Sequence, residues 1–189
     1  MRESINLFKA TLDVSIFITG SNSDLLSGEL ATYLSDLYDS IVMKDIIRRF
    51  KINDIDLFNR IAEYVMTTPS QTISVKNLVK YFKENERNVV KDIIYNYLEY
   101  MCKAYLINKV DRYDVRGKRI LNGKYKYYLT DLGLGQVKNI SKKEQLGVYL
   151  ENIVYNELAY RGYDVKVGTL DKREIDFICL KDGKKYMYK

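Results

Sequence analysis

Histidine and tryptophan are missing from this chain, and proline occurs once. Without histidine there is no side chain whose ordinary pKa lies near neutrality, and the commonest metal ligand is gone. Ser-His-Asp and Cys-His mechanisms are excluded, together with most zinc sites. The two cysteines, Cys102 and Cys179, are too few and too far apart for a CxxC knuckle. Reduced, buried thiols of a cytoplasmic protein are the expectation. Long apolar runs are also lacking. The longest, such as Val14–Thr19, are strand-sized, short of the ~20 residues a membrane-spanning helix needs. The first ten residues carry Arg2, Glu3 and Lys9, so neither a signal-peptide apolar region nor a membrane partner is expected.

What is there is a 189-residue chain with 47% hydrophobic and 30% charged residues. That suffices for one ordinary domain or two small ones with a real core. The net charge of +6 is uneven: residues 1–56 hold 6 basic against 9 acidic side chains, and 109–126 hold 7 against 2. The basic residues of that stretch are Lys109, Arg112, Arg116, Lys118, Arg119, Lys124 and Lys126, with Tyr113, Tyr125, Tyr127 and Tyr128 among them. A compact basic and aromatic cluster is the footprint of phosphate contact. It is equally the composition of a solvated hairpin tip, and charge alone leaves both readings open.

Periodicity divides the chain. Val14–Thr19 reads as a strand buried on both faces. It runs into the turn cluster Gly20–Asp24 and then a short helix, Leu25–Leu34. Asp36–Arg49 continues as helix. Leu57–Met66 is a further helix, ended by the turn Thr67–Ser70, and Ser74 is placed to cap Val75–Glu84. Val89–Lys103 carries a core stripe of Val90, Ile94, Leu98 and Met101, with Lys91, Asp92, Tyr95, Asn96 and Glu99 on the other side. The period then changes to alternation in Leu106–Tyr113 and Tyr125–Leu129, around two glycines. Helices followed by such a hairpin predict a winged helix-turn-helix, with 89–103 as recognition helix and 106–129 as wing. A long helix, Glu144–Arg161, is stopped by Gly162. Strands at 163–167, 174–180 and 185–189 follow, the last two joined by the turn Lys181–Lys184.

Two constellations carry chemistry. No GxxxxGK[ST] loop exists, so ATP has no phosphate cradle of that kind. Thr19, Ser21 and Asn22 could stand beside a phosphate held elsewhere, or simply cap the next helix. Glu151, Glu157, Glu174 and Asp176 form the second group. A helix glutamate, a strand aspartate and a downstream Glu-x-Lys would suit a restriction-type nuclease fold that holds Mg²⁺. Met187 stands where that last glutamate is needed, and methionine does not ligate Mg²⁺. Glu151 and Asp176 are therefore expected to be a non-catalytic vestige, with no metal.

Taken together, the segments resemble ATP-binding proteins of the AAA type that carry a C-terminal domain of unknown function. SIFITGSNSDLLSGELATYL resembles the strand bearing the sensor residue and the helix after it. IIYNYLEYMCKAYLINKVDRYDVRGKRIL, KYKYYLTDLGLG, LGVYLENIVYNELAYRGYDVKVG and EIDFIC resemble the C-terminal domain. The resemblance implies ATP and Mg²⁺ for an intact protein. It carries over to Asn22 alone, as the sensor position, and implies no cofactor for this chain. It implies an α+β protein in pieces: an ATPase remnant at 1–35 and a helical connector at 36–56. A winged helix would follow at 57–135, then a partial restriction-endonuclease-like unit at 141–189. Ser35 running directly into Asp36 would mark an internal deletion.

Two functions follow as expectations. One is a non-enzymatic module that binds DNA weakly and without sequence preference. Its contacts would be Arg112, Arg116, Lys118, Arg119, Lys124 and Lys126, with Lys91, Tyr95 and Asn96 on the recognition helix. The other is a docking module for proteins, or for self-association through the strand Val14–Thr19.

Overall fold

The computed structural model describes residues 29–84, 88–136, 146–171 and 173–188. The expected strand Val14–Thr19 and the sensor position Asn22 lie outside them.

Helix α1, Glu29–Ser40, continues without a break into a π-helical stretch, Ile41–Arg48. The boundary expected between Ser35 and Asp36 therefore falls inside a helix. Tyr38, Val42 and Ile46, one turn apart, bury its inner face. Helix α2, Ile55–Thr67, starts where the Asp54 carboxylate accepts the Leu57 N–H at 3.0 Å. That capping bond satisfies one of the donors a helix start leaves orphaned. Strand β1, Gln71–Ile73, follows Pro69, and Ser74 caps α3, Val75–Glu84, through the Asn77 N–H. Helix α4, Lys91–Lys103, buries Ile94, Tyr97, Leu98 and Met101. Val89 is buried and Val90 exposed, so the expected stripe begins one residue earlier, at Val89, just ahead of the extended Val90 cap.

Strands β2, Ile107–Asp114, and β3, Arg119–Leu129, form the hairpin. A short α5, Leu132–Gln136, and α6, Leu146–Tyr160, come next. Then β4, Asp164–Leu170, β5, Arg173–Lys181, and β6, Lys184–Tyr188, make an antiparallel meander. Its tight turn is Asp182-Gly183, both at positive φ, as a two-residue hairpin turn requires.

The protein is a mixed α+β structure whose described residues contribute six strands to a mixed sheet, in the order β1-β3-β2-β4-β5-β6. The hairpin and the meander are not separate sheets. They join where β2 runs parallel to β4, Arg112–Asp114 against Val167–Thr169. Two cores result. The larger gathers α1, the π-helical stretch, α2, α3, α4 and one face of the hairpin around Phe58, Ile61, Ile94 and Tyr127. The smaller lies under α6, around Val110, Tyr128, Tyr155, Val167 and Phe177. Strand β3 serves both, because neighbouring side chains point to opposite faces: Tyr127 enters the first core and Tyr128 the second.

Candidate functional site: a buried ion cluster and a basic hairpin tip

The bulge between β4 and β5 sets one wall of the site. Lys166 pairs with Ile178 and Gly168 with Ile175, so Val167 alone faces Asp176 and Phe177. A Cβ on Gly168 would meet Ile175 and Ile178 at 2.8 Å, so those two share a face although three residues apart. Glu174 is thereby turned to the same side as Phe177, toward α6.

There it meets charges from three other elements. Lys126 Nζ, from β3, lies 2.6 Å from Glu174 Oε1 and 2.9 Å from Glu151 Oε1 on α6. The Tyr128 hydroxyl donates to the same Glu151 oxygen at 2.7 Å. Arg112 Nη2, from β2, donates to Glu174 Oε2 at 3.2 Å and to Thr169 Oγ1 at 3.0 Å. The Lys126 side chain is 7% exposed, and the Arg112 Nε is buried without a hydrogen-bond partner in the structure. Burial pulls the Lys126 pKa down, but the hydrogen bonds and charges of Glu174 and Glu151 outweigh it, and the net shift is upward. Burial, then the Glu151 charge, raises the Tyr128 phenol far above its usual value, so it remains a donor.

Asn152, fully buried one residue along α6, accepts the Leu129 N–H and donates to the Leu129 C=O, both at 2.8 Å. One amide thus satisfies both backbone groups of a strand residue, as a paired strand would. Asn156 adds donations to the carbonyls of Leu129 and Thr130.

The sequence expectation is corrected at several positions. Arg112 and Lys126 are not surface cations: both sit inside the sheet, each held by carboxylates. Glu151 is brought to Glu174, through Lys126, rather than to Asp176. Asp176 is half-buried and makes no hydrogen bond or ion pair among the described residues. Glu157 pairs with Arg161 at the surface, and Met187 is exposed. Among the described residues no group of three or more His, Cys, Asp or Glu is arranged to hold a metal ion. The Mg²⁺ implied by a nuclease-like unit does not fit here, because the oxygens of Glu151 and Glu174 that would bind it already face an ammonium, a guanidinium and a phenol.

The remaining cations of the stretch are exposed. Arg116, Lys118 and Arg119 form the tip of the hairpin, with Lys118 at φ +50°. Arg116 meets Asp171 at 2.9 Å with both side chains largely in solvent, and Arg119, exposed, meets the more buried Asp114 at 3.9 Å. Lys109 stands over the Tyr125 ring at 3.7 Å. The Lys124 side chain lies outside those described. On α4, Lys91, Tyr95 and Asn96 are exposed, as are Asp92 and Glu99. Sequence reasoning missed the inward turn of Lys126. The available signal was its place in Tyr125–Leu129, a run otherwise made of tyrosine and leucine.

Comparison with known proteins adds relatives rather than chemistry. The chain is 28% identical to an uncharacterized protein of Haemophilus influenzae over 235 residues, covering 94% of this chain and 59% of that protein. It is 28% identical to an uncharacterized protein of Methanocaldococcus jannaschii over 155 residues, covering 80% of this chain and 34% of that one. The chain thus spans little more than half of the first relative's length and a third of the second's. The first match, at 235 residues, is longer than this 189-residue chain, so the relative carries segments within it that have no counterpart here. No solved structure gives a significant match. No helix among the described residues is long and apolar enough to cross a membrane. Residues 22–144, more than half of the chain, match a family model, and the chain belongs to that family, described as a domain of unknown function, DUF8612.

Proposed function

We propose that this chain is a non-catalytic module that contacts DNA through the hairpin tip, weakly and without sequence preference. Residues 55–129 run helix, strand, helix, helix, strand, strand, with sheet order β1-β3-β2. That order supports the winged-helix reading, with α4 as recognition helix. The observation that carries the proposal is the exposure of Arg116, Lys118 and Arg119 on one turn. Arg116 is held by Asp171 in a solvent-exposed pair of the kind worth little, and Arg119 meets Asp114 only at 3.9 Å, so phosphates can replace both. Asp92 and Glu99 on α4 disfavour base reading, since they repel the backbone beside Asn96. The helix and meander of 146–188 are read as a partial nuclease-like unit without catalysis, supported by the cations on Glu151 and Glu174. The internal segments of the Haemophilus influenzae relative that this chain lacks support its reading as an internally deleted member of a longer protein; that this protein is of the AAA type rests on the sequence resemblance alone. In that reading, the chain itself binds no ATP.

The test is salt-dependent DNA binding. With Lys109 and the three tip residues available, three or four phosphate contacts give a log-log slope of roughly −3 to −4. Affinity at physiological salt is expected near 10⁻⁴–10⁻⁶ M. The double variant Arg116→Ala, Arg119→Ala weakens binding alike on all sequences and brings the slope closer to zero by about 2. Asn96→Ala leaves affinity unchanged. Absence of binding at low salt rejects the proposal in favour of protein docking. That second reading has its own support: Leu150, Ile153 and Val154 on α6, with Tyr186, Met187 and Tyr188 on β6, are exposed apolar side chains.

A further inference from the structure

The ion cluster poses a question that DNA contact does not answer. Glu151 and Glu174 come from different elements and converge on the buried Lys126, their own side chains 21% and 37% exposed. Two carboxylates so placed repel each other unless a cation lies between them. The cation present is an ammonium from a third element, at 2.9 and 2.6 Å. It lies inside the sheet although nothing in the hairpin fold requires a charge there.

We infer that the Lys126 ammonium is the resident cation of this centre, seated between Glu151 and Glu174 where such a pair would otherwise take a divalent metal ion. Charge balance supports this. Lys126 and Arg112 against Glu151 and Glu174 leave the four-residue cluster neutral, with nothing for a divalent ion to compensate. Ligand supply supports it as well. Glu151 Oε1 already accepts from Lys126 and Tyr128, and both Glu174 oxygens accept from cations. A hard divalent cation needs several free oxygens. Removing the ammonium alone frees Glu174 Oε1, leaves Glu151 Oε1 with the Tyr128 hydroxyl still donating to it, leaves a net negative charge and opens a space of its own size. Lysine therefore does structurally, at all metal concentrations, what a metal would do conditionally.

The inference extends the non-catalytic reading of this unit, but its readout is metal-dependent stability. It can fail while DNA binding by the tip survives, and the reverse. Thermal unfolding is measured in chelator and in Mn²⁺ for the native chain, for Lys126→Met and for the double variant Lys126→Met, Glu151→Gln. The native chain is expected to ignore Mn²⁺. Lys126→Met should melt lower in chelator and regain about 5–10 °C with Mn²⁺ at about 100 times its dissociation constant. The double variant, with one carboxylate neutralised, should fold and again ignore the metal. A Mn²⁺ shift in the native chain equal to that of Lys126→Met overturns the inference. So does a Lys126→Met chain that gains nothing from Mn²⁺, or stays unfolded in it while the double variant folds.

Discussion

The root and the tip of the β2–β3 hairpin have the same composition, cations among tyrosines, and opposite physics. At the root, Lys126 and Arg112 are inside the sheet, each matched to a glutamate from an element distant in sequence. At the tip, Arg116, Lys118 and Arg119 stand in solvent; Asp171 beside Arg116 is exposed too, and Asp114, 22% exposed, meets Arg119 only at 3.9 Å. A tally of basic residues counts these alike. Burial separates them, because a buried charge must be paired whereas an exposed one is screened by water and salt. The root cations are committed to structure; the tip cations are available to a ligand.

The comparison breaks most visibly at Lys126. Lys126→Ala leaves two partly exposed carboxylates facing each other, and loss of the buried ammonium with its charged hydrogen bonds costs about 1.5–3 kcal/mol. Denaturant unfolding should show that loss as a fall in midpoint. A loss below about 1 kcal/mol would mean that water reaches the cluster and that root and tip differ less than their burial implies. The same lysine gives an alkaline signature. Its pKa in the fold is raised above the ordinary 10.5. Its contribution is thus fully present below that value and is lost as pH rises through the higher folded pKa. Stability of the native chain minus that of Lys126→Ala should therefore be constant from neutral pH to about 10 and shrink above it.

Asn152 is the next largest effect. Asn152→Ala leaves the Leu129 N–H buried without its acceptor, while Asn156 still serves the carbonyl. An orphaned buried donor costs about 1–3 kcal/mol. Amide exchange of Leu129 should rise together with a lowered unfolding midpoint. Unchanged protection there would show that α6 is not what holds the root of the hairpin closed.

The legible parts of this fold are those that repeat. Ile94, Leu98 and Met101 recur at helical spacing, Ser74 and Gly162 mark ends, and Lys181–Lys184 has turn chemistry, so α2, α3, α4, α6 and the meander could be read locally. Strand β1 could not. It has three residues, two of them exposed, and it exists because β3 offers a partner, with the Ser70 N–H donating to the Tyr127 carbonyl at 2.9 Å. The parallel join of β2 to β4 was equally hidden, since no local pattern announces which strand lies beside which. For the site, Glu151 and Glu174 were visible as members of a carboxylate constellation. Their partner was not. The alternation of β3 puts Lys126 and Tyr128 on one face, but only the covering helix α6 makes that face an interior. With Lys126 assigned to a wing, the cluster had no centre.

The smallest expected effect is the one that sharpens the contrast. The double variant Arg116→Ala, Arg119→Ala removes as much positive charge as the loss of Lys126 and Arg112 together. Its effect on stability should nevertheless stay within about 0.5 kcal/mol, the usual range for surface substitutions away from packed or paired features. The reason lies in the geometry: Arg119 meets Asp114 only at 3.9 Å, and the Arg116 pair with Asp171 is exposed on both sides. The turn itself is held by the Asp114 carboxylate, which accepts the backbone N–H groups of Arg116 and Gly117 at 3.1 and 3.0 Å, and alanine keeps the first of these bonds. Unfolding midpoints of the native and double-variant chains, taken at low and at physiological salt, should coincide within error at the higher salt. A loss above about 1 kcal/mol there would show that the Arg116–Asp171 pair fastens β2 to the β4–β5 turn. The tip cations would then belong to the structure, as those of the root do, and would not be free for phosphate.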